Sequence, residues 1–536
     1  MSATAPLARR EGYAATPSQT WLAAAALVAV AVAIQLKFGM MADVAWLVDC
    51  DQRWLAGAVP YRDFVEINPP ASLLLYLAPV AAARALGIAP EIAVSLFGFL
   101  SAGAALGLSA LILRRGRPVG ASVTLSAVIA LVVLPGETFC ERDHLAAVFG
   151  APLLALALAR AEGLRVNIAL ALVAGVGAGV MAAIKPPYAL IGLMLAGFVA
   201  IRVGTRKVLK APEYYAAAAV GLAYVASVGP LFPDYVANVL PLGVAIYVPS
   251  RESFATLVAS TGALLALLIG ATAALTAGGR YTTGFVVAAL AALGAGVGYF
   301  LQGKGWIYQA IPAAMFATLA GGFALEGRRG GLGLAAAGVA AALGVSFLHS
   351  IGLALGLGLA VGLLAARVKF AASELGPLAL AAAIGAACGV CVIERPQTPA
   401  LESELKKLGP GVTLGAVTED MGLPFPLAHR VGAHWAMRSN SLFVTAAVRR
   451  LLSRRPGDAA RLQAYADAER KQMIDDIVAN RPEALLVGPL GTSLHADVWA
   501  DSRLQAVMAD YLKVAVEERP GYSAELWVRK DFAPAR

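Results

Sequence analysis

Apolar runs of about 20 residues recur along this sequence, and short segments that carry most of its charge separate them. A run of that length can span the hydrocarbon core of a bilayer as an α-helix. Hydrophobic residues make up 59% of the 536 residues. Charged residues make up 14%, against roughly 25% in soluble domains. The sequence therefore predicts a polytopic α-helical membrane protein whose partner is the lipid bilayer.

The basic residues lie in short clusters between the apolar runs, such as Arg9–Arg10 and Arg202–Lys210. Such clusters are typical of cytoplasmic loops, so the net charge of +9 does not indicate a nucleic-acid partner. If these clusters lie in the cytoplasm, the chain crosses the membrane about thirteen times. The first crossing is 21–40, the last is 377–392, and the eleventh and twelfth lie on either side of His349. Residues 71–86 then lie along the outer surface or re-enter the bilayer. An odd number of crossings places the C-terminal segment outside.

The composition changes near Arg395 to that of a soluble α/β domain. Buried strands are predicted at 411–417 and 484–488, an alternating strand at 522–530, and an amphipathic helix at 459–477. We therefore predict two domains, a transmembrane domain over 1–394 and a soluble α/β domain over 395–536.

The segment from Asp43 to Pro70 is the most acidic part of a chain that otherwise avoids charge. It follows the first apolar run at once and holds five carboxylates and two arginines, namely Asp43, Asp49, Asp51, Asp63, Glu66, Arg53 and Arg62. A solvated outer loop explains this pattern, and so does a site that acts on a substrate at the membrane surface. An Asp-x-Asp pair such as Asp49 and Asp51 is a weak metal signal, and Asp51 could instead cap a helix.

The order of these residues resembles the first outer loop of GT-C glycosyltransferases, such as the protein O-mannosyltransferases and the lipid A aminoarabinose transferase. The matching elements are Asp43, Gln52-Arg53, Gly57-Ala-Val-Pro-Tyr61-Arg-Asp63 and Glu66-Ile-Asn68-Pro-Pro70. The resemblance implies transfer of a sugar from a polyprenyl-phosphate carrier. It also implies that Asp43 is the general base, with Arg53, Tyr61, Glu66 and Asn68 in substrate binding. Many members carry a second acidic residue where this chain has Val44, which leaves open a catalytically silent assembly partner.

A second polar segment, Glu141-Arg142-Asp143-His144, resembles the Arg-acid-His-Leu segment of these enzymes. The resemblance makes Asp143 the matched carboxylate and Glu141 a secondary one. Glu141 and His144 are one helical turn apart. With Asp143 they could hold a divalent cation such as Mg²⁺ or Mn²⁺. Acceptor binding, or an ion pair with Arg142, explains the same residues.

Three basic residues are candidates for the carrier's phosphate, because a lysine or arginine suits a phosphate oxygen. Lys304 lies in Gln302-Gly-Lys-Gly-Trp306-Ile-Tyr308, whose aromatic rings could stack on a sugar or lie in the interfacial belt. Lys185 precedes Pro186-Pro187 and could instead extend to the membrane interface. Arg251, in a loop predicted at 230–252, is the third candidate.

Together these features predict a bacterial inner-membrane glycosyltransferase with a periplasmic active site and C-terminal domain. It would transfer a monosaccharide from a polyprenyl-phosphate donor to a cell-envelope glycan or lipid. The alternative is a transporter or flippase of a lipid-linked saccharide. Cys50 and Cys140 each adjoin a candidate carboxylate in a loop assigned to an oxidising compartment. We therefore also predict a disulfide between them, whereas Cys388 and Cys391 are predicted as core residues.

Overall fold

The computed structural model describes residues 16–114, 116, 119–326, 375–392, 398–488 and 498–532. Arg9 and Arg10, the eleventh and twelfth predicted crossings, and the predicted boundary at Arg395 lie outside these residues.

The described chain is mostly helical, with a small sheet near its C-terminal end. The helices are α1 (Pro17–Phe38), α2 (Ala42–Leu55), α3 (Ala71–Leu86), α4 (Pro90–Leu113), α5 (Ala121–Val128), α6 (Arg142–Ala161), α7 (Ile168–Ile184), α8 (Ala189–Val203), α9 (Thr205–Val208), α10 (Pro212–Leu231), α11 (Leu240–Leu242), α12 (Phe254–Val258), α13 (Thr261–Ala277), α14 (Thr283–Gln302), α15 (Ile307–Ala324), α16 (Leu375–Val390), α17 (Pro399–Lys407), α18 (Leu427–Val431), α19 (Phe443–Leu452), α20 (Ala459–Asn480) and α21 (Ser502–Met508). The strands are β1 (Thr413–Val417), β2 (His434–Trp435), β3 (Ala484–Val487), β4 (Tyr511–Arg519) and β5 (Tyr522–Arg529).

Seven of the described helices are long and apolar enough to cross a membrane, namely Pro17–Phe38, Pro90–Leu113, Arg142–Ala161, Pro186–Val203, Pro212–Leu231, Thr283–Gln302 and Ile307–Ala324. Six shorter apolar helices accompany them, at Ala71–Leu86, Ala121–Val133, Ile168–Ile184, Tyr235–Tyr247, Thr261–Ala277 and Leu375–Val390. A multipass membrane protein is therefore indicated, and the number of thirteen crossings stays a prediction. The 16 residues of α3 are about 24 Å long, less than the ~30 Å core of a bilayer.

Side-chain caps begin several of the apolar helices. Asn167 accepts a hydrogen bond from the Ala169 backbone N–H at the start of α7, and Ser260 and Thr282 cap α13 and α14 in the same way. Gly278 and Gly303 end α13 and α14 in the left-handed conformation. These caps satisfy N–H groups that a helix leaves unpaired at its N-terminus, and they explain why the apolar helices end at these residues.

The chain divides into two compact units, and each combines segments far apart in sequence. The first unit comprises Met1–Phe38, Gly98–Gly221 and Ser253–Ile393. In it α15 is buried along almost its whole length. A Cβ atom added to Gly175 of α7 would lie 2.3 Å from the Glu213 carbonyl oxygen of α10. A glycine at this position allows the two helices to approach closely, as in membrane helix pairs.

The second unit joins Gly39–Phe97 and Leu222–Glu252 to Glu394–Arg536. Its five-stranded sheet has the order β2-β1-β3-β5-β4. Strands β1, β2 and β3 are parallel, whereas β5 pairs antiparallel with both β3 and β4. Helix α20 matches the predicted amphipathic helix, and β1, β3 and β5 match the predicted strands. Strand β4 was not predicted from the sequence.

The predicted loop at 230–252 is wrong, because the chain is helical from Tyr235 to Tyr247. Its apolar residues recur at helical spacing, and Ile246 is fully buried in a cluster with Val444 and Val448 of α19. Burial against the C-terminal segment therefore stabilises helix where the proline and tyrosine content favoured a loop.

Candidate active site

The second polar segment begins with Glu141, whose side chain caps the N-terminus of α6. Glu141 is the N-cap of α6, and its side chain accepts a 2.6 Å hydrogen bond from the Asp143 backbone N–H. The other carboxylate oxygen lies 3.2 Å from Nε of Arg142, and both side chains are buried. Cys140 precedes this cap with φ of 63°, a left-handed conformation uncommon for a residue other than glycine. Glu141 thus serves as a helix cap and ion-pair partner.

Asp143 begins α6 as a fully buried carboxylate inside the first unit. The ammonium nitrogen of Lys185 lies 3.0 Å from its Oδ2 atom. Lys185 also donates a 3.1 Å hydrogen bond to Oε1 of Gln302, and its ammonium lies 5.9 Å from the Tyr308 ring centroid. Because an unpaired buried charge is costly, the lysine is the counter-charge that lets a carboxylate stand here.

Tyr188 connects this ion pair to two further helices. Its hydroxyl donates to Oδ1 of Asp143 and lies 3.1 Å from the Gln309 carbonyl oxygen of α15. The Gln302 side chain donates at 3.3 Å to the Tyr188 hydroxyl oxygen and at 3.4 Å to Asp143. The sequence reasoning missed Tyr188 and Gln309. Both are polar residues near the ends of apolar runs, and that position is the signal by which they could have been found.

The glycine-rich segment between α14 and α15 brings the remaining predicted residues of the first unit together. Gly303 ends α14, Lys304 follows with only 8% exposure, and Trp306 precedes α15. The rings of Trp306 and Tyr308 are 5.5 Å apart. This segment therefore holds a buried lysine and two aromatic residues, a combination suited to a phosphate joined to a sugar.

The polar cluster lies at helix ends and not halfway along the helices. Asp143 begins α6, Lys185 follows the end of α7, and Gln302 ends α14. Near the far end of α6, about 26 Å from Asp143 along the helix axis, Arg160 pairs with Glu213. Arg202, Arg206 and Lys207 lie at and just after the end of α8, which is also remote from the cluster.

For Glu141 and His144 the sequence left open a metal site or an ion pair with Arg142, and the structure contains the ion pair. His144 accepts a 3.0 Å hydrogen bond from the Cys140 backbone N–H at Nδ1, and its Nε2 lies 2.9 Å from the Leu131 carbonyl oxygen. Both ring nitrogens are therefore engaged with the backbone. No group of three His, Cys, Asp or Glu side chains among the described residues could hold a metal ion.

In the second unit, Asp43 lies in the first turn of α2, a favourable place for a carboxylate next to a helix N-terminus. Asp49 and Asp51 lie further along the same helix, so they project about 200° apart and do not form an Asp-x-Asp metal site. Asp51 is inside the helix and does not cap it. Burial raises the pKa of Asp51 to about 9, which keeps it neutral at pH 7.

Three predicted substrate-binding residues of the first loop bond mainly to one another. Glu66 accepts a 2.6 Å hydrogen bond from the Trp46 indole N–H and others from the backbone and side chain of Asn68. Tyr61 has a left-handed φ of 66° and donates from its hydroxyl to the Asn68 carbonyl oxygen at 3.0 Å. Tyr61, Glu66 and Asn68 therefore shape the loop around α2.

The remaining predicted residues of this unit contact the C-terminal segment. Arg53 donates at 2.9 Å to the Met437 carbonyl oxygen and at 2.7 Å to that of Asp63. Arg251 has an exposed side chain, and its carbonyl oxygen accepts a hydrogen bond from Arg454. Val65 donates from its backbone N–H to the Arg438 carbonyl oxygen at 2.7 Å. The C-terminal segment thus fixes the conformation of both loops.

A buried histidine of α18 was also missed from the sequence. Nδ1 of His429 lies 3.3 Å from Oε1 of Glu91, and Nε2 lies 2.9 Å from the Ala45 carbonyl oxygen. Burial lowers the pKa of His429, but the contact with Glu91 and the nearby Asp49 outweigh burial and raise it. Burial raises the pKa of Asp49 to about 6. Nothing in its sequence neighbourhood indicates these partners, which are more than 300 residues away.

The predicted disulfide between Cys50 and Cys140 is wrong. Cys50, Cys140, Cys388 and Cys391 are all free, buried thiols. Each lies in a well-packed interior, where cysteine behaves as a small apolar residue.

These helices, their buried polar cluster and the small sheet define a polytopic membrane protein. Its fold is that of ArnT, a GT-C glycosyltransferase. ArnT from Cupriavidus metallidurans bound to undecaprenyl phosphate has a TM-score of 0.56 and 17% identity, over 96% of this chain and 99% of that one. Its apo state has a TM-score of 0.55 and 15% identity, over 97% and 100%. No family model and no curated protein matches the sequence. The predicted GT-C resemblance is thereby confirmed at the level of the fold.

Proposed function

We propose that this chain is a bacterial inner-membrane glycosyltransferase. It takes a monosaccharide from a polyprenyl-phosphate donor and transfers it to a cell-envelope glycan or lipid at the periplasmic face. The fold it shares with ArnT supports the class of reaction, and the undecaprenyl phosphate bound to ArnT supports the class of donor.

The observation that carries the proposal is the buried pair of Asp143 and Lys185, bonded to Gln302 and Tyr188. Ionisable groups inside a bundle of apolar helices are expensive, so they are a sign of function. Their position at one end of the helices favours an enzyme that works at a membrane surface. A transporter would need polar groups along the transport path, and the described helices carry the cluster only at that end.

Transfer requires one bond to form and one to break at the anomeric carbon. The acceptor hydroxyl oxygen attacks that carbon, and the bond from the carbon to the phosphate oxygen breaks. The leaving phosphate keeps the electron pair, and the hydroxyl proton passes to a carboxylate. We assign Asp43 as that base, since a positioned carboxylate can accept a proton in the transition state.

The leaving phosphate gains negative charge, which a cation stabilises. We assign Lys304 to this role, because it is a buried lysine in a loop with two glycines that permit close approach. Asp143 and Lys185 would hold the polar cluster in shape and bind the acceptor. A divalent cation stays a prediction, tested by measuring transfer in EDTA and after addition of Mg²⁺ or Mn²⁺.

The test uses purified protein in detergent, undecaprenyl phosphate carrying a labelled hexose, and an envelope fraction as the source of acceptor. The label should leave the lipid carrier and appear in a product of different mobility. Lys304→Ala should raise the KM for the carrier about tenfold or more, because a charge-assisted contact to the phosphate is worth about 1.5–3 kcal/mol. An unchanged KM would remove Lys304 from the site, and absence of transfer for every hexose would contradict the function.

A further inference from the structure

Gln309 is a fully buried amide in the first turn of α15. Neither its Oε1 nor its Nε2 atom has a hydrogen-bond partner among the described residues. By contrast, the buried hydroxyl of Thr318 on the same helix donates to the Ala314 carbonyl oxygen at 2.9 Å. Burying an amide without partners costs free energy. An amide with no partner among the described residues is therefore a candidate for binding a ligand.

The backbone of Gln309 adjoins the polar cluster that contains the buried ion pair. The Gln309 backbone carbonyl oxygen lies 3.1 Å from the Tyr188 hydroxyl, which donates to Asp143. The preceding residue, Tyr308, has its ring beside Lys185. Lys304 lies five residues earlier on the segment that leads into α15. Any ligand whose phosphate contacts Lys304 would thus place its neighbouring atoms close to the first turn of α15.

The chemistry of the amide selects among possible ligands. Its nitrogen is a donor, and its oxygen is an acceptor. A phosphate oxygen would accept from Nε2 and leave Oε1 without a partner. A sugar hydroxyl is both donor and acceptor, so adjacent hydroxyl groups of one ring can satisfy both ends of the amide. In a glycosyl carrier the sugar is joined directly to the phosphate, so a phosphate bound at Lys304 would bring the sugar to the residues that begin α15.

We propose that the Gln309 side chain binds hydroxyl groups of the monosaccharide on the polyprenyl-phosphate donor. The proposal rests on the function proposed above. It assigns recognition of the sugar to α15 and recognition of the phosphate to the preceding glycine-rich segment.

The experiment compares the affinity of full-length protein for two kinds of probe in detergent. One is bare undecaprenyl phosphate, and the other is undecaprenyl phosphate carrying one hexose, in gluco, galacto and manno forms. Wild-type protein should bind at least one hexosyl probe more tightly than the bare carrier. Gln309→Met keeps the length of the side chain and removes its hydrogen bonding. The variant should reduce the preference for the hexosyl carrier about tenfold, because one to two neutral hydrogen bonds contribute about that much affinity. Its affinity for the bare carrier should be unchanged.

Thr318→Val is the matched control, since it removes a buried polar group that already has a partner on α15. It should leave the affinities for both probes unchanged. The ligand-free Gln309→Met protein should melt at a higher temperature than wild type, because the variant no longer buries an unpaired amide.

Equal weakening of both probes by Gln309→Met, with a lower melting temperature, would show a purely structural role and overturn the inference. Binding of hexosyl carrier that Gln309→Met does not alter would overturn it as well, while the proposed function stands. Failure of wild-type protein to bind any of these carriers would overturn both, because the donor class itself would be wrong.

Discussion

The ammonium of Lys185 and the carboxylate of Asp143 form a buried ion pair at 3.0 Å, in which the aspartate side chain is fully buried and the lysine 12% exposed. Lys185 directly follows α7, Asp143 lies in the first turn of α6, and the two are 42 positions apart. Lys185 was predicted as a phosphate contact or an interfacial residue. In the structure it pairs with the carboxylate that the GT-C resemblance singled out.

This pair predicts a specific pattern of stabilities. Asp143→Asn or Lys185→Met alone leaves one buried charge without its counter-charge and should cost about 3–5 kcal/mol. The double variant removes both charges and should be more stable than either single variant. Thermal unfolding in detergent measures all four proteins. A double variant whose loss equals the sum of the single losses would show that the residues do not interact.

The thiols give a second prediction. Because all four cysteines are buried and free, a maleimide should modify none of them in folded protein and all four after denaturation without reductant. Intact-protein mass spectrometry counts the modifications. Two fewer sites in denatured, non-reduced protein would reveal a disulfide and contradict the structure.

Stability should fall as pH rises in the region around His429. The raised pKa of His429 means that the folded state holds its proton more tightly than the unfolded chain. That contribution is present at low pH and is lost as pH rises through the folded pKa. Asp49, with its pKa raised to about 6, acts in the same direction. Between about pH 4 and 6 the Asp49 carboxyl loses its proton in the unfolded chain but keeps it in the folded protein. The free energy of unfolding therefore falls by up to about 3 kcal/mol over this range.

The measurement is the unfolding temperature between pH 5 and 8, for wild type and His429→Gln. The variant should show a weaker dependence on pH, since it lacks the imidazole that pairs with Glu91. Identical pH profiles for wild type and His429→Gln would remove the histidine from this account.

Topology supplies a fourth prediction. If the N-terminus is cytoplasmic and the number of crossings is odd, as the sequence predicts, residues 395–536 lie in the periplasm and the basic cluster around Lys207 lies in the cytoplasm. Alkaline phosphatase fused after Arg536 should be active, and the same enzyme fused at Lys207 should be inactive. The reverse pattern would contradict the assignment of the outer face.

The sequence predicted those features that local pattern determines. Apolar run lengths gave the helices, and alternating or continuous apolar stretches gave β1, β3 and β5. The order of polar residues singled out Asp143, Lys185, Gln302 and Tyr308, which the structure joins through hydrogen bonds, the ion pair and a ring contact. The resemblance singled out Asp143, and the position at a helix end singled out Lys185, but neither predicted that the two would pair.

The errors arose where distant contacts decide the structure. The helix at 235–247 depends on burial of Ile246 against α19, which no local signal reports. Spacing alone also left two alternatives open for Glu141 and His144, and the structure favours the ion pair with Arg142 over a metal site. Adjacent acidic residues suggested that Cys50 and Cys140 were paired, whereas each is packed as an apolar side chain.

The central claim is that this protein transfers a sugar from a polyprenyl-phosphate donor and uses the Asp43 carboxylate as the general base. The most direct measurement compares the turnover of labelled undecaprenyl-phosphate hexose by wild type and Asp43→Asn, which keeps the size of the side chain and removes the proton acceptor. The account predicts a kcat lowered about 10²–10⁴-fold with donor affinity nearly unchanged. Equal turnover would exclude Asp43 as the base. No turnover by wild type, with carrier movement across liposomes intact, would contradict the enzyme and favour a transporter.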